Sequence, residues 1–177
     1  MERFFFEVPG IARKSEAIDF IGEFRKFGSD INGTGGLHRY LDNYEGWLEK
    51  LKEDYSRKPS AEKVPARTFF LIRADDNRLI GMSNIRLALN EKLRHYGGHI
   101  GYSVAPSERR KGYAALMLKR VLPKCRELGI DKVLITCISG NEGSKRTILK
   151  NGGVYESSVY EPEEGVCLER YWIDLSR

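Results

Sequence analysis

The chain has 177 residues, which is enough for one well-buried domain but short for two. Its formal net charge of +5 suits an anionic small ligand or plain solubility equally well. Its three cysteines cannot all pair and no Cys/His cluster is present, so we expect reduced thiols and no metal. Because no apolar run has the length of a signal peptide or a membrane span, we expect a cytoplasmic protein with no membrane partner.

The N-terminal third predicts one strand and two helices. A strand over residues 3–8 ends at Pro9-Gly10, and Ser15 is the expected N-cap of a helix that ends near Gly28. The apolar face of this helix comprises Ala17, Phe20, Ile21, Phe24 and Phe27. The glycine-rich stretch SDINGTGGLHRY follows, and either a flexible connector or a substrate-side loop fits it, because it lacks the Lys-Ser/Thr of a P-loop. An aromatic stripe from Leu37 to Tyr55 predicts the second helix, with Tyr40 and Tyr44 as the positions most open to a ligand.

The middle of the chain predicts three strands and a helix. Residues 68–73 and 79–87 form a hairpin around Asp75-Asp76-Asn77, and a third strand covers 98–104. The next helix reaches Leu128, and its apolar side has helical spacing. That side consists of Ala114, Met117, Leu118, Val121, Leu122, Cys125 and Leu128.

The polar, basic turn SERRKGYA links the third strand to this helix. A helix start leaves several backbone N–H groups unpaired and carries a partial positive charge, so such a turn is suited to an anion, above all a phosphate. Arg109, Arg110 and Lys111 add full charges, and Gly112 would let a ligand approach the backbone closely.

The C-terminal third completes the order β-α-α-β-β-β-α-β-α-β-β. The short β-branched run 132–137 predicts a strand buried on both faces, and 141–151 predicts a helix. Two closing strands are expected at 154–160 and 168–175. We therefore treat residues 1–177 as a single α/β domain.

The motifs resemble those of the GNAT superfamily, the Gcn5-related N-acetyltransferases. The segment from Arg109 to Ala114 resembles the family's Arg/Gln-x-x-Gly-x-Gly/Ala signature, and Val104-Ala105-Pro106 resembles the V-x-P that ends its fourth strand. Asn141 and Ser144, followed by Lys150 and Gly152, look like its N-x-x-[AS]…K-x-G block. The resemblance implies the GNAT acyl-CoA N-acyltransferase fold, with a mixed central sheet of about seven strands, flanking helices and a splay between strands 4 and 5. It also implies that the glycine-rich stretch shapes the acceptor pocket.

By the same resemblance, acetyl-CoA would bind along the strand 98–104 and the turn after it. Its pyrophosphate would meet the donors of the signature. Its pantetheine arm would pair with that strand and reach Asn141, and the small Ser144 would let it pass. The coenzyme-binding candidates are Ser103, Val104, Arg109, Arg110, Lys111, Gly112, Tyr113, Ala114, Asn141 and Ser144.

The catalytic groups stay open because the chain departs from the family pattern. Many family members have a tyrosine seven residues after the asparagine, as the acid for the leaving thiolate, and here that residue is Ile148. Tyr102 and Tyr155 are alternative acids, and an unassisted thiolate is the third option, since a thiol pKa near 8.5 permits it. His99 is a candidate base, although a lone strand histidine is more often structural.

These features predict an acetyl-CoA-dependent N-acetyltransferase, acting on an amine of a small molecule or a protein N-terminus. The alternative is a non-catalytic GNAT-fold module that senses an acyl-CoA. A nucleic-acid partner is not expected, because the basic residues cluster in one turn and are not spread along a helix face. A homodimer is left open.

Overall fold

The computed structural model describes residues 3–176, and within that range the element order is the one that the sequence predicts. The strands are β1 (Phe4–Glu7), β2 (Ala66–Arg73), β3 (Arg78–Arg86), β4 (Ile100–Val104), β5 (Lys132–Ile138), β6 (Val154–Glu161) and β7 (Val166–Asp174). The α-helices are α1 (Lys14–Phe27), α2 (Tyr44–Ser56), α3 (Tyr113–Glu127) and α4 (Glu142–Lys150).

The strands form two antiparallel sheets that meet side by side. One sheet has the order β1-β2-β3-β4 and the other has the order β5-β7-β6. The edge strands β4 and β5 are therefore neighbours, and each takes its regular partner on its far side only. This arrangement is the splay that the family resemblance implies.

Each face of the sheets carries its own apolar core. On one face, α3 buries a row of side chains at helical spacing, including Met117, Leu118 and Val121, against strand residues such as Val133. On the other face, α1 and α2 cover β2 and β3, with Trp47 fully buried at their centre. Burial of a large apolar side chain contributes roughly 1.5–3 kcal/mol each, so the two layers fix the strands that border the splay.

The start of α1 differs from the prediction. The helix begins at Lys14, so Ser15 lies inside it and is not the N-cap. The N-cap position belongs to Arg13, a buried residue whose guanidinium bonds to Glu7 and Glu16. Phe27, expected on the apolar face, is 60% exposed, since α1 ends there and Gly28 turns the chain away.

The second helix starts later than predicted. The side chain of Asn43 accepts a hydrogen bond from the Gly46 N–H at 3.1 Å and begins α2 at Tyr44, while Leu37–Arg39 forms a separate 3-10 turn. Tyr44, expected to be open to a ligand, is fully buried and donates its hydroxyl proton to the Gly10 carbonyl at 3.1 Å.

The cysteines are unpaired, as expected from their number, with Cys125 and Cys137 buried and Cys167 exposed. None of the helices in residues 3–176 combines the length and the apolar composition that crossing a membrane requires.

Candidate active site

The two sheets are joined at a single point, at the start of β4. The His99 N–H donates to the Leu134 carbonyl at 2.7 Å, and the Leu134 N–H donates to His99 Nδ1 at 2.9 Å. No other backbone hydrogen bond links the residues of β4 and β5 among those described. Beyond this joint β4 and β5 have no ladder between them, so the two sheets separate there, and the gap between the two strands is called the cleft below.

The edge of β4 that faces this cleft offers free backbone groups. The Arg86 N–H bonds to the His99 carbonyl and the Ala105 N–H to the Ile80 carbonyl, so odd-numbered residues of β4 pair with β3. By alternation, Tyr102 and Val104 direct their N–H and C=O groups into the cleft. A peptide-like arm could add there as an extra strand. Ser103, predicted to share that role, instead turns its backbone toward β3 and accepts a hydrogen bond at Oγ from the Asn32 N–H at 2.9 Å.

The turn between β4 and α3 ends in an uncapped helix. Gly112 is the N-cap residue of α3, in the left-handed region with φ +83°, and it has no side chain to bond the first N–H groups. The first backbone bond of the helix runs from the Leu116 N–H to the Gly112 carbonyl, which leaves the Ala114 N–H without an acceptor inside the helix. A Cβ at Gly112 would meet nothing within 4 Å, so it would project into open space at the helix start.

The charges of this turn are arranged by a residue that sequence reasoning missed. Glu108 is only 2% exposed, and its carboxylate accepts hydrogen bonds from Arg73 at 2.9 Å, Arg78 at 2.8 Å and Lys111 at 2.8 Å. Burial raises the pKa of Glu108, but the bonds from Arg73 and Lys111 outweigh it, so the pKa lies below its usual value. Glu108 thus anchors the turn to the β2–β3 hairpin, and Lys111 is not the free charge that its position suggests.

The other two basic residues of the signature differ in their surroundings. Arg109 donates from Nη1 to the Ser29 hydroxyl at 3.0 Å, and its guanidinium carbon lies 5.2 Å from the centre of the Phe24 ring. Arg110 is exposed and has φ +61°, a conformation that L side chains rarely adopt. Of the three basic residues, Arg109 and Lys111 therefore have hydrogen-bond partners within the protein. The ring of Tyr113 is buried against Phe4.

The opposite wall of the cleft is the start of α4. Asn141 caps this helix by accepting a hydrogen bond at Oδ1 from the Ser144 N–H at 3.0 Å. The hydroxyl of Ser144 lies 3.2 Å from Tyr102 Oη, so a β4 side chain reaches α4 across the cleft. The structure therefore brings the backbone edge of Val104 and the starts of α3 and α4 near one another, whereas Ser103 faces β3 and Asn32.

Comparison with known proteins identifies the family of this chain. The family model described as "Acetyltransferase (GNAT) domain" matches residues 22–154, which is more than half of the chain. This chain belongs to the GNAT family. A search of curated proteins finds no significant match to the sequence.

Solved GNAT structures share the fold over almost the whole chain. A ribosomal-protein-S5-alanine acetyltransferase from Vibrio fischeri superposes with a TM-score of 0.72 at 12% identity, covering 99% of this chain and 95% of that one. A SpeG spermidine N-acetyltransferase chimera from Vibrio cholerae gives 0.67 at 16% identity, with 98% and 96% covered. For yncA from Salmonella typhimurium, described with its cofactor acetyl-CoA, the TM-score is 0.62 at 13% identity, and 98% and 95% are covered.

As a GNAT protein, the chain is an acetyl-CoA-dependent N-acetyltransferase, and its cleft fits that donor. The unpaired edge of β4 suits an amide-containing arm, and the uncapped start of α3 suits a pyrophosphate. Within residues 3–176, no group of three or more His, Cys, Asp or Glu side chains is placed to hold a metal ion.

The two tyrosines considered as acids differ sharply in this GNAT site. Tyr155 is 53% exposed on β6, beyond β7 from the cleft, and its hydroxyl lies 2.9 Å from Ser158 Oγ. The hydroxyl of Tyr102 is inside the cleft at Ser144, one helical turn before Ile148, which occupies the family's tyrosine position and is fully buried. Burial raises the pKa of Tyr102, so this phenol stays protonated at neutral pH.

The side chain of His99, considered above as a base, accepts one of the hydrogen bonds that link the two sheets. His99 is 8% exposed, and the Leu134 N–H occupies the Nδ1 lone pair, so the single proton of the neutral ring is on Nε2. Burial and the nearby Arg86 charge lower the pKa of His99 to about 4. Neither ring nitrogen is therefore available to accept a proton near neutral pH.

The glycine-rich stretch is held against the cleft by close backbone contact. A Cβ on Gly33 would lie 2.3 Å from the Gly101 carbonyl oxygen, so only glycine fits this approach to β4. Thr34 is buried beside it, and the Gly35 carbonyl accepts a bond from Trp47 Nε1 at 3.1 Å. The stretch is a fixed wall on the face of β4 opposite α3 and α4, which agrees with a substrate-side loop better than with a flexible connector.

Proposed function

We propose that residues 1–177 act as a single catalytic domain that acetylates a primary amine, with the donor held in the cleft between β4 and β5. The observation that carries this proposal is the free backbone edge of Tyr102 and Val104, which ends at the uncapped start of α3. The pantetheine arm would bond to that edge, and the pyrophosphate would accept bonds from the N–H groups of Gly112 and Ala114.

The acceptor would approach at the His99 end of β4, beside the part of the Gly101 face that the 29–36 stretch covers. The opposite face is closed by α3 and α4, which pack on Ile100, Tyr102 and Val104. The Gly101 face instead meets the 29–36 stretch, whose contact with the strand runs through the two glycines Gly33 and Gly101. An amine entering there would reach the acyl end of the donor near the joint at His99.

The chemistry requires one proton to be gained and one to be lost. Bound acetyl-CoA supplies an acetyl thioester, so the acceptor nitrogen gains an N–C bond while the C–S bond breaks and the sulfur leaves as a thiolate. Tyr102 is the proposed acid for that thiolate, because its hydroxyl is protonated and lies inside the cleft. Since His99 has no free lone pair, the amine proton would pass to solvent and only the neutral amine would react.

A thiol-release assay tests this function. Release of free thiol that requires both acetyl-CoA and an amine, and that rises with pH until the amine is neutral, is the expected result. Tight binding of acetyl-CoA without any amine-dependent release would instead indicate the non-catalytic sensor. The homodimer remains a prediction, for which sedimentation of the purified chain is the test.

A further inference from the structure

One partly buried guanidinium of this protein lacks an anionic partner. Arg86, at the end of β3, donates from Nη1 to the carbonyls of Gly97 and Gly98, both at 2.9 Å. Its Nε and Nη2 make no hydrogen bond with any residue in the described range 3–176. The fully enclosed side-chain atoms without a partner in that range are Arg57 Nε and Ser83 Oγ, so Nε and Nη2 of Arg86 keep some contact with solvent.

Other arginines with little exposed side chain are each paired with a carboxylate. Arg13 bonds to Glu7 at 3.1 Å, Arg73 to Glu108 at 2.9 Å, and Arg170 to Glu156 at 2.7 Å. A guanidinium that is withdrawn from water without an anion loses solvation that hydrogen bonds to neutral carbonyls restore only in part. Burial lowers the pKa of Arg86, yet an arginine stays charged in proteins. An anion supplied from outside would complete this site.

The unpaired edge of Arg86 lies beside the proposed path of the acceptor. The backbone N–H of Arg86 bonds to the His99 carbonyl, so the residue adjoins the point where β4 and β5 separate. Its Nη2 is 3.7 Å from the position that a Cβ would take on Gly101, on the face covered by Gly33. The side chain of Ile85 points to the opposite face, into the α3 core. Arg86 therefore lies at the His99 end of β4, beside the part of this face that the 29–36 stretch covers.

We propose that Arg86 binds a carboxylate of the acceptor, which makes the acceptor an amino-acid-like primary amine. The Nε and Nη2 edge presents two parallel N–H groups, the spacing that a carboxylate accepts in a bidentate pair. This inference rests on the proposed function and goes further by naming the substrate class.

The charges around this position agree with an anionic acceptor. Arg170 donates to the His95 carbonyl at 3.3 Å. It therefore contacts the same turn, Leu93–Gly97, to which Arg86 donates at the Gly97 carbonyl. Glu156 is already occupied, because it accepts bonds from Arg170 and from Trp172 Nε1 at 2.9 Å. A polyamine would meet the guanidinium of Arg86 here with no free carboxylate beside it, whereas a carboxylate would meet a complementary charge.

The test compares two pools of acceptors on wild type and on Arg86→Met. One pool contains the common L-amino acids and the other contains their carboxamides, with spermidine as a separate polycation, all at saturating acetyl-CoA. We expect faster thiol release with the free acids. In Arg86→Met the KM for the acids should rise roughly ten- to hundredfold, the scale of lost hydrogen bonds to a charged group. The KM for acetyl-CoA and the rate with the amides should stay unchanged.

Two variants separate recognition from a structural role. Arg86→Lys keeps the charge without the fork and should recover part of the loss, while Arg126→Met removes an exposed arginine of α3 and should have no effect. Equal or faster release with the amides or spermidine would overturn the role of Arg86 and leave acetyl transfer standing. An equal loss of activity with the free acids and with the carboxamides in Arg86→Met would also overturn it. Thiol release with no amine at all would overturn both proposals.

Discussion

Acidification should weaken the joint between the two sheets through one histidine. In the folded protein the pKa of His99 is about 4, against an ordinary value of 6.5. The unfolded chain therefore takes up a proton more readily than the folded chain between these two values. The stabilisation is complete above about pH 6.5 and is lost as the pH falls toward 4.

The size of this effect follows from the two pKa values. A pKa difference of this size contributes roughly 3 kcal/mol to the free energy of unfolding at neutral pH, and about 2 kcal/mol of that contribution is lost by pH 4.5. Protonation would also break the bond from the Leu134 N–H, because Nδ1 would then carry a proton of its own. The neighbouring positive charges of Arg86 and Arg94 act in the same direction.

Urea unfolding of wild type and His99→Asn measures the effect. The amide oxygen of asparagine can accept the bond from the Leu134 N–H in place of Nδ1, but it does not titrate. Between neutral pH and pH 4.5, the free energy of unfolding of wild type should fall by about 2 kcal/mol more than that of the variant. The carboxylates are common to both proteins, so their titration cancels in that difference. An identical pH dependence for the two proteins would refute the reading of His99 as a buried neutral joint.

Three further outcomes follow from the site. If the Tyr102 phenol is the acid, Tyr102→Phe should lower kcat by at least about tenfold. Tyr155→Phe also removes a hydroxyl that lies beside a serine, and it should leave kcat unchanged. Equal losses of kcat in the two variants would remove Tyr102 from that role. In urea unfolding, Glu108→Gln should lower the free energy of unfolding by roughly 3 kcal/mol, because it breaks a buried ion-pair network. A change within the experimental error would mean that this network does not anchor the turn. Arg109→Ala should weaken acetyl-CoA binding mildly, with a loss that shrinks as salt rises because the charge is exposed; a salt-independent loss in calorimetry would contradict this.

Local sequence signals predicted the order of the elements and the glycine-containing turn before α3. Strand and helix periodicities, the break at Pro106 and the glycine before α3 act over a few residues, so they can be read without the fold. The boundaries that failed, at Ser15 and Leu37, failed because another local contact was stronger. Arg13 takes the N-cap position of α1, and Asn43 caps α2.

The contacts that define the candidate site could not be read in the same way. Glu108 and Arg73 are 35 residues apart, and the Asn32 N–H meets Ser103 across 71 residues. Nothing near Arg86 in the sequence marks it as lacking a carboxylate, since that depends on which elements pack beside it. The hydroxyl of Tyr102 reaches Ser144 only because β4 and α4 face each other across the cleft.

Calorimetric titration with acetyl-CoA of two matched glycine variants tests the central claim most directly. Gly112 and Gly129 border opposite ends of α3, have φ of +83° and +82°, and would each place a Cβ in open space. Alanine at either position should cost a similar 1 to 2 kcal/mol of stability, roughly the penalty for a left-handed L residue. We predict that Gly112→Ala weakens acetyl-CoA binding by at least about tenfold and that Gly129→Ala binds as wild type does. Equal affinities in the two variants would contradict the placement of the pyrophosphate at the start of α3.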